Sequence, residues 1–201
     1  MQEIGRILSV QVQRSTLKPG KRLATYYDPT PLLVAERLRL TPQGVIGITC
    51  DGTEVMDLHH IAHPTSHNTR GLNGISFLFS SHYQSMREAY GDHIVNGCAG
   101  ENVLIEANKV LQRQDLGSRL AIRIEKTGRF IYLSNLKIAA PCIEFSQYAA
   151  NHGFPMPPAQ LKAALQFLDD GMRGFYATVE DQPEEMVIQV GDRVFVDDTH
   201  A

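Results

Sequence analysis

Short β-prone segments separated by turn residues constrain the fold of this chain more than any other feature of its sequence. Glycine, proline, asparagine and aspartate mark the breaks between them, as at Asp51-Gly52 and Gly191-Asp192. Many short strands with few helices, and no alternating strand–helix–strand rhythm, predict a mostly antiparallel barrel or curved sheet. The segments predicted as strands are 4–12, 45–49, 54–58, 75–79, 103–105, 120–124, 130–138, 175–179, 186–190 and 193–196.

Three segments are predicted to be helical. The first begins with a capping box, Ser81-x-x-Gln84, and stops at Gly91. A short helix over residues 143–151 is predicted to follow Cys142, and a third opens at Pro157-Pro158 and closes at Gly171. Periodicity leaves residues 34–40 open between helix and strand. Residues 59–74 have no periodicity, which indicates a long loop of the kind that often carries function.

Bulk properties exclude several classes of function. The chain has 201 residues, enough for a single domain over 1–201, and its 43% hydrophobic residues suffice for a core. A net charge of −3 argues against nucleic-acid binding. No apolar run reaches membrane-spanning length, and the amino terminus lacks an apolar signal core, so a cytoplasmic location is expected. Three widely spaced cysteines exclude a disulfide framework.

Reactive side chains recur at turns that border these predicted strands. The three motifs are Gly100-Glu101-Asn102, Pro141-Cys142, and Gly-Met-Arg-Gly-Phe-Tyr at residues 171–176. Turns held by rigid strands are where scaffolds usually carry their chemistry. A cysteine in such a turn is a candidate nucleophile, sulfur carrier or metal ligand.

The order and spacing of these motifs resemble the MOSC domain, the carboxy-terminal module of molybdenum cofactor sulfurases that also occurs alone. The similarity covers roughly residues 55–197, and it departs from the family pattern at Ala140 and at residues 60–64. It implies a pyruvate-kinase-like β-barrel, a cysteine used in sulfur or molybdenum chemistry, and ligands related to molybdopterin. Further matching residues are Asp57-Leu58-His59-His60, His82-Tyr83, Asp115, Leu116, Leu120, Leu136, Val187 and Gly191-Asp192-Arg193-Val194.

Cys142 is the predicted catalytic residue and, if molybdenum is bound, its protein ligand. A thiol at a helix amino terminus feels the positive end of the helix dipole, which favours the thiolate. Thiolate is the form that carries persulfide sulfur or binds a soft metal. The alternative is a buried cysteine that only packs, which is how Cys50 and Cys98 are interpreted.

Arg173, Asn102 and Glu101 are predicted to contact a cofactor. Arg173 lies between Gly171 and Gly174, where a planar guanidinium could grip the phosphate of molybdopterin. Asn102 could bind a pterin edge or substrate amide, while Glu101 could orient a neighbouring arginine or backbone group. The alternatives are an arginine at a helix end and ordinary turn chemistry.

The histidine-rich loop contains His59, His60, His63 and His67. Their spacing defines no face and no carboxylate completes a zinc site, so anion or substrate contact by this loop, alongside Arg70, is the preferred prediction. His60 and Arg70 are its predicted cofactor-binding residues. Tyr176 and His82 are weaker candidates, since a half-buried aromatic or a helix start accounts for them.

Three hypotheses follow from these residues and the resemblance. In the first, the barrel binds molybdenum cofactor and reduces an N-oxygenated substrate with a redox partner, or Cys142 carries persulfide from a cysteine desulfurase. The chain shows no pyridoxal-phosphate lysine site of its own. In the second, the protein is a non-catalytic module that binds or delivers a ligand. In the third, the barrel survives as a scaffold without chemistry.

Overall fold

The secondary structure is built mainly from strands, as the turn pattern predicts. The computed structural model describes residues 1–21, 24–68, 70–181 and 186–197. Its strands are β1 (Gln2–Gln13), β2 (Leu32–Ala35), β3 (Arg37–Thr41), β4 (Gly44–Ile48), β5 (Glu54–Met56), β6 (Ile75–Phe79), β7 (Val103–Ile105), β8 (Leu120–Arg123), β9 (Phe130–Ile138), β10 (Phe175–Val179), β11 (Met186–Gln189) and β12 (Arg193–Val196). Its helices are α1 (Ser80–Tyr90), α2 (Ile143–Asn151), α3 (Pro158–Leu168) and a 3-10 turn at Arg113–Leu116.

Seven strands close a barrel in the order β1-β12-β8-β9-β10-β6-β7, with β7 pairing back onto β1. Every neighbouring pair is antiparallel except β6 and β7, which run parallel from Phe77↔Val103 to Phe79↔Ile105. Helix α1 connects those two strands, so the fold contains one strand–helix–strand unit that the sequence pattern did not reveal. The prediction of a largely antiparallel barrel is confirmed.

A second, four-stranded sheet has the order β11-β3-β4-β5. It accounts for the ambiguous residues 34–40, which divide between β2 and β3. Strand β2 pairs with β1 beside the barrel, whereas β3 pairs with β4 and β11. Leu38 and Leu40 are buried and alternate with partly exposed arginines, as a half-buried strand requires.

Strands β6 and β7 separate two apolar cores. Phe77 and Phe79 point into the barrel, where the ring of Phe77 stacks on that of Phe175 at 5.4 Å. Leu78, which alternates with them, packs on the opposite side against the helices. Further members of this outer core are Tyr83 and Met86 of α1, Phe145 of α2, and Leu168 of α3. The barrel wall thus has a helical layer packed on its outside.

The helix boundaries agree with the prediction at α2 but not at two other ends. Helix α1 begins after Phe79 without a side-chain cap, and the Ser81 hydroxyl donates to the Lys109 carbonyl at 2.8 Å. The predicted capping box is therefore wrong, because the N-cap position is Phe79 and Ser81 lies inside the first turn of the helix. Helix α3 ends at Leu168, three residues before Gly171. Within the described residues, no helix has the length and apolar character needed to cross a bilayer.

Candidate functional site

A cavity of about 330 Å³ lies where segments far apart in the chain converge. Its lining comes from the loop after β1, the residues after β5, strand β6, the turn before β7, the segment between β9 and α2, and the start of β10. Four of the seven predicted site residues line this cavity: Cys142, Arg173, Glu101 and Tyr176. Asn102, His60 and Arg70 do not.

Cys142 lines the cavity as the N-cap residue of α2 and is half-buried. The backbone N–H of Phe145 donates to its Sγ at 3.5 Å, so the sulfur occupies the place of the usual capping oxygen. The Ser146 backbone N–H and hydroxyl donate to its carbonyl oxygen at 3.0 and 2.9 Å. These bonds fix the sulfur beside the positive end of the helix.

Arg173 reaches the cavity from the turn between α3 and β10. Its backbone N–H donates to the Leu168 carbonyl at 3.1 Å, and its guanidinium carbon lies 5.0 Å from the centre of the Phe145 ring. Within the described residues its guanidinium makes no hydrogen bond or ion pair, and its Nε is buried. Burial lowers the pKa of Arg173, but the neighbouring Tyr176, Tyr27, Cys142 and Tyr83 side chains together raise it above its ordinary value. The cavity therefore contains a cation without a protein counterion.

Glu101 is a buried acid in which one carboxyl oxygen accepts a hydrogen bond and the other has no partner among the described residues. It is 4% exposed, and the Tyr83 hydroxyl donates to its Oε2 at 2.7 Å. Its Oε1 is buried with no hydrogen-bond partner in the described part of the chain. Burial raises the pKa of Glu101 to about 7, against the opposing effects of Tyr83 and Arg173. Near neutral pH the carboxyl group is therefore partly protonated and able to donate a hydrogen bond.

Asn102 lies beside the cavity but within the protein's own hydrogen-bond network. Its Oδ1 accepts from the backbone N–H and hydroxyl of Ser76 at 2.9 and 3.0 Å. Its Nδ2 donates to the Gln11 carbonyl at 3.2 Å and to Asp57 Oδ2 at 2.8 Å. The side chain thus uses both donors and its acceptor oxygen to tie strands together, which differs from the predicted pterin contact.

The loop supplies His59 and His67 to the cavity, whereas His60 lies outside its lining. Asp57 Oδ1 accepts from the backbone N–H of His59 at 2.8 Å and lies 3.0 Å from its Nδ1. His60 is 6% exposed, and its Nδ1 accepts from the Ala62 backbone N–H at 3.2 Å. Arg70 is exposed and lies outside the cavity lining. The predicted ligand contacts of His60 and Arg70 therefore do not match their placement.

Tyr176 and Lys18 also belong to the polar lining. The ring of Tyr176 lies 6.3 Å from that of His59. Lys18 is a second cation, whose Nζ lies 3.8 Å from Glu144 Oε2 in the first turn of α2. The predicted candidate His82, by contrast, is buried away from the cavity with its Nε2 3.0 Å from the Leu111 carbonyl.

Sequence reasoning grouped His59 with the other loop histidines without singling it out, and it missed Tyr83 and Lys18. For His59 a signal exists in the spacing Asp57-x-His59, because an aspartate carboxylate commonly accepts the N–H two residues on. Tyr83 entered the sequence analysis only as part of the His82-Tyr83 match, although its hydroxyl donates to Glu101 and accepts the Ala99 N–H at 2.9 Å. Lys18 belongs to a turn, and nothing local indicates that it approaches α2.

The donor set fits a cofactor that carries its own metal ligands better than a free metal ion. The described residues contain no cluster of three or more His, Cys, Asp or Glu side chains able to hold an ion. A cofactor that brought its own metal ligands would need only one soft ligand from the protein, and Cys142 would supply it. Arg173 and Lys18 are suited to a phosphate group on such a cofactor.

Comparisons with solved structures establish the class of fold. The chain is similar to the YUAD protein from Bacillus subtilis, with a TM-score of 0.51 and 15% identity over 95% of this chain and 97% of that one. A hypothetical protein gives a TM-score of 0.52 and 12% identity over 96% and 68%. YiiM from Geobacillus stearothermophilus gives 0.46 and 16% over 94% and 73%. No family model and no curated protein matches the sequence. At this identity the likeness shows the fold alone, a mostly-β fold with a closed seven-stranded barrel.

Proposed function

We propose that this protein binds a molybdopterin-type cofactor in the cavity, with Cys142 as the protein ligand to molybdenum. The observation that carries the proposal is the shared lining of one cavity by the Cys142 thiol and the Arg173 guanidinium, which has no partner among the described residues. A thiolate suits a soft metal, and a planar guanidinium suits phosphate. The sequence resemblance to MOSC domains supplies the cofactor class.

The chain's own residues would bind the cofactor and orient it. Arg173 would hold the phosphate, Glu101 would donate from its acid form to a ligand oxygen or nitrogen, and Phe77 and Phe175 would supply an apolar wall. When bound, the cofactor would supply two-electron redox chemistry, of the kind that removes oxygen from N-oxygenated substrates. Such a reduction consumes electrons, so the proposal includes a reducing partner protein.

Metal and pterin analysis tests this proposal. Protein purified from a molybdenum-replete host is expected to contain molybdenum and a pterin in about equal amounts. Cys142→Ser should lose the molybdenum, and Arg173→Met should lose most of the pterin, while circular dichroism shows the fold unchanged. Cys50→Ser, which removes an exposed cysteine outside the cavity, is the matched control. Wild-type protein without either component overturns the proposal.

Persulfide carriage is the second candidate, and the partial exposure of Cys142 favours it. The Cys142 thiolate would attack the outer sulfur of a desulfurase persulfide, break its S–S bond, and release the desulfurase thiolate. Mass spectrometry after incubation with a cysteine desulfurase and cysteine should then show one added sulfur atom on Cys142 and none in Cys142→Ser. A non-catalytic binding module predicts a different result, namely unchanged ligand affinity in that variant.

A further inference from the structure

We propose that His59 is the proton-transfer residue of the cavity and that Asp57 positions it. The inference rests on the proposed function because it requires a ligand in the cavity, and it adds the group that moves the proton. His59 lines the cavity from the residues after β5, while Asp57 lies behind it and is fully buried. A histidine oriented by a buried carboxylate is the arrangement that general acid–base catalysis uses.

Asp57 is held so firmly that it can fix the histidine ring. Its Oδ2 accepts from the Gln13 backbone N–H at 2.7 Å and from Asn102 Nδ2 at 2.8 Å. Its Oδ1 faces both the backbone N–H and the ring Nδ1 of His59. Burial raises the pKa of Asp57, but these hydrogen bonds and His59 together lower it below its ordinary value. Asp57 is therefore an ionised acceptor at neutral pH.

An ionised acceptor at Nδ1 selects one tautomer of the neutral imidazole. The proton resides on Nδ1, which donates a hydrogen bond to the Asp57 carboxylate, and the lone pair is left on Nε2. Within the described residues Nε2 has no hydrogen-bond partner, and the His59 side chain is 30% exposed. Asn68 Nδ2 donates to the His59 carbonyl at 2.8 Å, which anchors this part of the loop. The ring therefore offers a free base to a cavity ligand.

The proposed step moves one proton and no electrons. A ligand O–H or N–H gives its proton to Nε2, and the resulting imidazolium keeps its Nδ1–H on the Asp57 carboxylate, which stabilises the positive charge. Return of the proton restores neutral imidazole. Two other described histidines lack this capacity: His60 has its Nδ1 engaged by Ala62, and His82 lies outside the cavity with its Nε2 at the Leu111 carbonyl.

Nitrogen NMR of histidine-labelled protein tests the orientation directly, with the His59 signals assigned from His59→Gln. The expected result for wild type is a protonated Nδ1 and an unprotonated Nε2 on His59. His63→Gln, from the same loop but outside the cavity lining, should leave these signals unchanged. A dominant Nε2–H tautomer on His59 overturns the proposal.

Calorimetry with inorganic phosphate as the probe tests proton transfer. Titrations in buffers of different ionisation enthalpy give the number of protons taken up as the anion binds. His59→Gln should lower this uptake, because the variant lacks the ring nitrogen proposed to receive the proton. Glu101 and His67 also line the cavity and are present in both proteins, so the difference between the two proteins reports on His59. His63→Gln should behave like wild type.

The outcomes separate this inference from the proposed function. Equal proton uptake in wild type and His59→Gln overturns the role of His59, even if phosphate binds. No phosphate binding to wild type, or unchanged binding in Arg173→Met, overturns the anion site of the proposed function. In that case the nitrogen NMR result alone decides the orientation and free lone pair of His59.

Discussion

Replacing Glu101 by glutamine should change how stability depends on pH. The amide has nearly the same shape and can still accept the Tyr83 hydroxyl, but it does not titrate. Burial raises the pKa of Glu101 from 4.5 to about 7. Because the folded protein then holds a proton that the unfolded chain has lost, wild-type stability falls as pH rises between these values.

The size of the effect follows from the two pKa values. At about 1.4 kcal/mol for each pH unit, the difference between 4.5 and about 7 amounts to roughly 3 kcal/mol. The stabilising contribution of Glu101 is fully present below its unfolded-state pKa of 4.5 and fully lost above its folded-state pKa of about 7. The Glu101→Gln variant should thus have the same free energy of unfolding as wild type near pH 4.5. Above about pH 7 it should be up to roughly 3 kcal/mol more stable than wild type.

Urea denaturation at several pH values, from about 4.5 to about 8, measures this difference. Subtracting wild type from variant cancels the other titrating groups common to both proteins. Glu88→Gln removes an exposed carboxylate from α1 and serves as the control for loss of one negative charge. A Glu101→Gln difference that stays constant across the range would refute the reasoning, since the carboxyl group would then titrate alike in both states.

Three further predictions concern residues around the cavity. Asn102→Ala should lower the free energy of unfolding in urea by about 2–4 kcal/mol, because its buried partners lose four hydrogen bonds. Gly174→Ala should cost about 2 kcal/mol or more in the same assay, because φ is +115° and a Cβ would lie 2.9 Å from the Phe77 carbonyl oxygen. Burial raises the pKa of Cys98 to about 12, so iodoacetamide should label Cys142 and spare Cys98 in peptide mass spectra of the native protein.

The fold was predictable wherever local pattern and long-range pairing agree. Strands such as β7 and β9 have the predicted bounds because β-branched and aromatic residues favour a pleated, half-buried surface. The prediction failed at Ser81, whose hydroxyl bonds the distant Lys109 carbonyl. It also lacked the parallel pairing of β6 with β7, since periodicity identifies strands but not their partners.

The site was predictable only for residues whose neighbours in sequence suggest chemistry. Cys142 and Arg173 stand out locally, beside a helix start and between glycines, and the cavity brings them together. From the sequence, Asn102 was an equally good candidate for ligand contact. Its side chain instead forms hydrogen bonds with the side chains of Ser76 and Asp57, which lie far away in sequence. Whether a polar side chain is free or engaged depends on tertiary contacts, which the local pattern does not contain.

The two cavity groups that could neutralise each other remain apart. Arg173 Nε and Glu101 Oε1 are buried without hydrogen-bond partners in the described ranges, and no ion pair joins the two residues there. Leaving both unsatisfied costs stability, while pairing them would hold Glu101 as a carboxylate and neutralise the arginine. Because the two side chains do not pair, Arg173 remains a cation that can bind an anionic ligand, and Glu101 can still donate a hydrogen bond from its acid form. A ligand with an anionic group and a hydrogen-bond acceptor would satisfy both groups at once, which is what the proposed binding site requires.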